Sequence, residues 1–193
     1  FFPPKTDVGW NSLVDHLRSF EALHPSFVSV TYGAGGTTRE KTHSLVTHLA
    51  KNTSLDPVPH LTCVGHSRDE ITTILESYSV AGIDNILAIR GDKPQSGIET
   101  SDFAHAIDLV THIRSFAGRQ FGICVAGFPE GHPETPNRLV QMEYLKAKVG
   151  AGADWICSQL FFDNRAFLDW CQRCELQGID IPRIAGIMPI TSM

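Results

Sequence analysis

The chain has 193 residues, 42% hydrophobic and 19% charged, with a formal net charge of −5. Those values describe a globular chain able to bury a core and exclude a disordered one. The negative balance gives no electrostatic case for nucleic acid or an anionic membrane, and no apolar stretch nears the roughly 20 residues that cross a bilayer.

Seven short apolar runs read as strands, starting near Phe1, Phe27, Pro59, Asn85, Phe121, Asp154 and Arg183. From the second to the sixth, the starts are spaced by 32, 26, 36 and 33 residues, the length of a strand–helix–strand unit. Helical stripes fill the gaps. Leu13, Val14, Leu17, Phe20 and Leu23 form the first; Ile71, Ile74, Leu75 and Tyr78 another; Leu139, Met142, Leu145 and Val149 a third. Ser67 followed by Glu70 predicts a capping box at the start of the second of these. The segments AGID at 81–84, AGAD at 151–154 and QGID at 177–180 each put a glycine just past an apolar helix, where a left-handed C-cap is easiest for glycine.

This alternation implies a parallel sheet with right-handed crossovers, either an open doubly wound sheet or a closed (β/α)8 barrel. GAGG at 33–36 follows the second strand but lacks the GxGxxG spacing of a dinucleotide cradle. Polar residues gathered at strand ends favour the barrel. The last run, RIAGIMPI, ends three residues before Met193, whereas a whole barrel needs about 250 residues. The expectation is therefore an α/β fold, a (β/α)8 TIM barrel seen incomplete with strands 1 to 7, as a single domain over 1–193 truncated at both ends.

Chemistry-bearing residues stand at the ends of these runs. Thr31 closes FVSVT. His60 and Thr62 share one face of their strand, suited to hydrogen-bonding a polar cofactor, although a lone strand-end histidine also serves as a satisfied core residue. In IRGD at 89–92, Arg90 offers a planar donor fork for phosphate or a carbonyl-rich ring, and Asp92 an anion to stabilise a cationic intermediate; a strand-end salt bridge or turn explains the triplet equally well. FPEGHPE at 128–134 is stiffened by Pro129 and Pro133, holding Phe128 and His132 toward the strand ends, with Glu130 and Glu134 facing the surface. Lys148, late in a helix, suits either the helix C-terminus or a phosphate. Gln159 can donate to and accept from a heterocyclic ring edge. The nine histidines show neither HExxH nor a tight cluster, and no metal is expected. Of five scattered cysteines, the three in strand-like runs read as reduced, buried thiols and fit a cytoplasmic location; Cys171 and Cys174 form a lone CxxC inside a helical pattern, and without a second pair zinc or redox chemistry is not the favoured reading.

Taken in order, FFPP at 1–4, SVTYGAGG at 29–36, PHLTC at 59–63, IRGD at 89–92, AGFPEGHPE at 126–134, KVGAGAD at 148–154, SQLFFD at 158–163 and GIMP at 186–189 resemble the methylenetetrahydrofolate reductase family. The resemblance implies a flavin-containing barrel, oligomeric in identical chains. It also implies reduction of 5,10-methylenetetrahydrofolate to 5-methyltetrahydrofolate, with NADH or NADPH as reductant and FAD as carrier in a ping-pong scheme. Carried over by motif, Thr31, His60, Thr62, Arg90, Gly91, Asp92, Phe128, His132 and Lys148 become FAD contacts, as does Ala106 at a helix start. Asp92 becomes the catalytic carboxylate beside flavin and folate, placed to stabilise the cation formed when the folate's five-membered ring opens, and Gln159 a folate contact. The family has a glutamate directly before Phe-Phe-Pro-Pro that helps open the folate ring, whereas this sequence begins at Phe1. Gln141 stands where the family has an aspartate. Two other readings remain open at this point: a non-catalytic flavin- or folate-binding module, and an unrelated barrel lyase acting on a phosphorylated substrate.

Overall fold

The computed structural model describes residues 1–32, 37–92 and 101–191, with residues 37–39 as helix backbone only. GAGG at 33–36 lies outside the described residues. The chain divides into two compact units, Phe1–Phe121 and Gly122–Met193.

In the first unit, α1 (Asp7–Glu21) is followed by β1 (Val28–Val30), α2 (Thr37–Asn52), β2 (Pro57–Thr62), α3 (Arg68–Val80), β3 (Asn85–Ile89) and α4 (Ala106–Ala117). The second holds β4 (Gly122–Gly127), α5 (Arg138–Gly150), β5 (Trp155–Ser158), α6 (Asn164–Leu176) and β6 (Arg183–Ile184). Pairing within each unit is parallel throughout. β1 aligns Val30 with Pro59 of β2, and β2 aligns Thr62 with Ile89 of β3. β4 aligns Gly127 with Ser158 of β5, which aligns Ile156 with Arg183 of β6. Strands of Val, Ile and Leu with helices on the crossovers bury both faces, so Val58, Leu61, Ile86, Ala88, Ile123, Val125 and Ile156 are all at 1% exposure or less. The result is the expected α/β fold of parallel strands alternating with helices.

Six of the seven expected runs are strands. The run at Phe1 is not one, but it makes a parallel bridge's two bonds: the Phe1 amino group donates to Ser29 O, and Thr31 N–H donates to Phe1 O at 2.9 Å. RIAGIMPI pairs only at Arg183 and Ile184, because Gly186 passes directly over Ser158 and Pro189 cannot donate to a ladder.

Local signals set the helix boundaries. Thr6 Oγ1 accepts from Gly9 N–H at 3.1 Å and starts α1. Ser67 and Glu70 form the expected reciprocal capping box on α3, with bonds of 3.2 and 2.7 Å. The three glycine stops share one device. Gly82, Gly152 and Gly178 have φ of +74°, +119° and +70°, and the residue after each sends its N–H back five positions, to Tyr78, Lys148 and Cys174. This is the Schellman arrangement, and the next residue, Ile83, Ala153 or Ile179, is buried as its apolar lock. Two stripe positions depart from expectation. Leu23 is 74% exposed because α1 ends at Glu21, and Leu139, in the first turn of α5, is 67% exposed. Among the described residues, no helix is long and apolar enough to cross a membrane.

Candidate functional site

Five of the residues singled out by sequence fall at the C-terminal ends of five strands. Thr31 is one residue past β1, Thr62 is the last of β2, Arg90 is one past β3, Phe128 one past β4 and Gln159 one past β5. Parallel strands within a unit point the same way, so each unit presents its set at its C-terminal strand edge.

In the first unit, Thr31 is fixed by main-chain bonds: its N–H reaches Phe1 O, and its own carbonyl accepts from the buried Thr42 hydroxyl at 3.1 Å. His60 is half-buried two residues before Thr62. Burial pushes its pKa down to about 4, so its imidazole is neutral at pH 7. Thr62 packs against Gly91, which turns the chain at φ +89°. A β-carbon at 91 would sit 3.0 Å from Thr62 Cβ and 3.2 Å from its methyl, so both the backbone angle and the close approach require glycine there. Arg90 Nε donates to Gly91 O at 3.3 Å, and Arg90 O accepts from Val64 N–H at 2.9 Å. Asp92 is exposed at the end of this turn. Ala106 opens α4, where the Asp108 carboxylate accepts the N–H groups of Ala104 and His105 at 3.0 and 2.9 Å.

In the second unit, Phe128 and His132 meet edge to face with ring centroids 4.6 Å apart. Glu134 N–H donates to His132 Nδ1 at 3.1 Å, which leaves the ring proton of a neutral His132 on Nε2 as a free-standing donor position. Lys148 projects from α5 and donates to Ala126 O at 2.6 Å. Its ammonium is enclosed, and desolvation pushes its pKa down to about 8, with Cys124 a weaker opposing influence. Gln141 donates through its side-chain amide to Thr135 O, staying inside the loop as a neutral group. Gln159 is exposed, and its N–H donates to Gly127 O at 2.7 Å. Phe128 and Gln141 also line a shallow pocket with Pro129, Arg138, Met142, Asp169, Trp170 and Arg173, where Arg173 Nε is paired with Asp169 at 2.9 Å. Cys171 and Cys174, both on α6, are free thiols.

Sequence reasoning missed several anchors. His66 is 1% exposed; its Nε2 lies 2.9 Å from the Tyr32 hydroxyl and its Nδ1 3.7 Å from Glu70. The Ser101 hydroxyl donates to Cys63 O at 2.7 Å, tying the segment before α4 to the end of β2. Glu130 does not simply face solvent: its Oε1 accepts the N–H groups of Phe162 and Asp163, both at 2.9 Å. Apart from the i,i+4 approach of His66 to Glu70, these contacts span more than 30 residues, and no local motif announces them.

The family model for methylenetetrahydrofolate reductase matches residues 1–193. The chain belongs to that family. It is 40% identical over 205 residues to methylenetetrahydrofolate reductase (NADH) 1 of Arabidopsis thaliana, covering all of this chain and 35% of the relative. Against 5,10-methylenetetrahydrofolate reductase of Escherichia coli K12 the identity is 40% over 192 residues, covering all of this chain and 64% of that reductase. The chain thus spans less than two thirds of these relatives. Among solved structures it resembles an uncharacterised Clostridium thermocellum protein that binds two copies of 5-methyl-5,6,7,8-tetrahydrofolic acid. The TM-score is 0.67 at 12% identity, over 95% of this chain and 63% of that one. Phosphonopyruvate hydrolase in complex with oxalate and Mg2+ follows, with a TM-score of 0.65 at 12% identity, over 88% and 63%. At those identities the likeness is one of fold, that of an incomplete (β/α)8 barrel.

Proposed function

We propose that the protein reduces 5,10-methylenetetrahydrofolate to 5-methyltetrahydrofolate, using FAD and a nicotinamide reductant. The observation that carries this reading is the coincidence of the reductase family's motifs with strand ends: Thr31, Thr62, Arg90, Phe128 and Gln159 all stand at C-terminal strand edges.

The donor set fits a flavin dinucleotide. Lys148 and Arg90 are cations suited to its phosphates, and the enclosed Lys148 ammonium gains most from an anionic partner because burial has stripped its water. The neutral His60, the Nε2–H of His132 and the hydroxyls of Thr31 and Thr62 suit ribityl and carbonyl oxygens. Phe128 offers an aromatic face. Gly91 lets backbone approach closely, and Ala106 adds a small helix-start position. Gln141, an amide in place of the family's aspartate, keeps hydrogen-bonding capacity without charge. These residues would hold FAD, which when bound would supply the hydride-transfer chemistry between nicotinamide and folate.

Asp92 is exposed at the end of the turn after β3; in this reading its carboxylate would stabilise the cation formed as the folate's five-membered ring opens. Gln159 holds the pterin edge, while its own backbone is pinned to Gly127. NADH or NADPH occupies the folate's place in a separate half-reaction. The folate reading rests on the family, not on the clostridial neighbour, which shares only the fold. The test is reconstitution of the full-length protein with FAD, followed by nicotinamide oxidation with and without folate. Folate-dependent turnover supports the reading. FAD binding with no oxidation of either nicotinamide points to a non-catalytic binding module instead, and turnover without flavin to a lyase.

A further inference from the structure

Phe128, Pro129, Glu130 and Gly131 form a turn closed by Gly131 N–H donating to Phe128 O at 3.1 Å, with a buried proline at its second position. Glu130 leaves this stiff turn and accepts two adjacent amides, Phe162 and Asp163, with one carboxylate oxygen, each at 2.9 Å. Asp163 is the N-cap of α6, its Oδ1 accepting from Arg165 N–H at 2.8 Å, so the added negative charge also sits at a helix start where it is favoured. A second tie runs between the same two loops: Gln159 N–H to Gly127 O at 2.7 Å. The segment 159–163 is therefore held at both ends to the segment 127–130. Between those ties Phe161 is anchored by its side chain, stacked on Phe167 at 4.5 Å, while Phe162 is 63% exposed.

We infer that Glu130 is a positioning residue that sets the Gln159 loop at a fixed distance from the Phe128–His132 loop, and so couples folate placement to flavin placement. The inference rests on the reading of Gln159 as a folate contact and of Phe128 and His132 as flavin contacts. Reach sets the coupling, and the charge at the helix start adds a smaller stabilisation. A glutamine can still accept both amides with one oxygen; an aspartate keeps the charge but is one carbon too short.

Glu130→Gln, Glu130→Asp and Glu130→Ala are compared with the parent in the full-length protein loaded with FAD. Glu130→Asp and Glu130→Ala are expected to raise the folate KM about fivefold, with flavin affinity and nicotinamide oxidation within about twofold of the parent. Amide exchange at Phe162 and Asp163 should quicken on the order of tenfold in both. Glu130→Gln should stay close to the parent in all readouts. Parent-like KM and exchange in Glu130→Asp overturn the inference, as does a parent-like Glu130→Asp beside an impaired Glu130→Gln. Equal losses of flavin affinity, thermal stability and folate KM overturn it too, because they mark a purely structural role. If Glu130→Ala fails to fold, the Asp and Gln variants still decide. A parent protein without folate turnover overturns the functional reading first and the coupling with it, whereas the exchange rates separately report whether the clamp exists.

Discussion

Gly127→Ala should damage the protein through one contact that can be worked out in detail. Gly127 is the last residue of β4, and a β-carbon there would lie 2.5 Å from Trp170 Cζ2, 2.9 Å from Trp170 Cη2 and 2.9 Å from Ile156 Cγ2. Ordinary carbon contacts begin near 3.5 Å, so Trp170 must retreat by about 1 Å. It has little room: it is 5% exposed and packs at 5.9 Å on Phe167, which stacks on Phe161. Overpacking of this kind costs about 2 kcal/mol, which in a chain of this size lowers Tm by about 4–8 °C. The shift also reaches Gln159, whose N–H is held by the Gly127 carbonyl, so the folate KM should rise as well. Thermal denaturation monitored by circular dichroism reads the first effect and steady-state kinetics the second. Gly82→Ala is the control, because Gly82 has φ +74° but nothing within 4 Å, leaving only a backbone cost of about 1 kcal/mol. A Gly127→Ala protein with Tm within about 1 °C of the parent would refute the steric reasoning.

Acid should destabilise the protein through His60. Its folded pKa, about 4, lies below the usual 6.5, so the unfolded state binds the extra proton first and stability falls as pH drops from about 6.5 to 4, by about 3 kcal/mol in all. His60→Gln should flatten that part of the stability–pH curve; an unchanged slope contradicts the assignment. Lys148→Met should weaken FAD retention more than about tenfold, as seen by flavin fluorescence, and FAD affinity of the parent should fall above pH 8 as Lys148 loses its proton. For the flavin-free chain the sign is opposite: the unfolded state holds the lysine proton longer, so this group's contribution to stability rises with pH between about 8 and 10.5. Asp92→Asn should leave the flavin spectrum unaltered and lower kcat for folate reduction by about a hundredfold; equal loss in nicotinamide oxidation would argue against a role confined to the folate.

The strand edges were legible because buried parallel strands read as short Val, Ile and Leu runs, and the residue following each run lands at the strand's end. That logic placed Thr31, Arg90, Phe128 and Gln159 at strand edges. The glycine stops were legible for a similar reason: Gly82, Gly152 and Gly178 adopt a φ that other residues resist. Periodicity could not say where a stripe stops, which is why Leu23 and Leu139 lie exposed. Nor could it show that Glu130 reaches residues 162 and 163, or that Tyr32 meets His66. Those bonds depend on which loops the crossovers bring together, and a glutamate between prolines looks the same whether it caps a neighbouring loop or faces water.

One anaerobic titration decides whether this protein is a folate reductase. Full-length protein carrying FAD is reduced with NADH or NADPH, freed of excess nicotinamide and mixed with 5,10-methylenetetrahydrofolate. The expected result is bleaching of the flavin absorbance by the nicotinamide, then its full return with one equivalent of 5-methyltetrahydrofolate formed per flavin. Flavin that bleaches but stays reduced when the folate is added would contradict it.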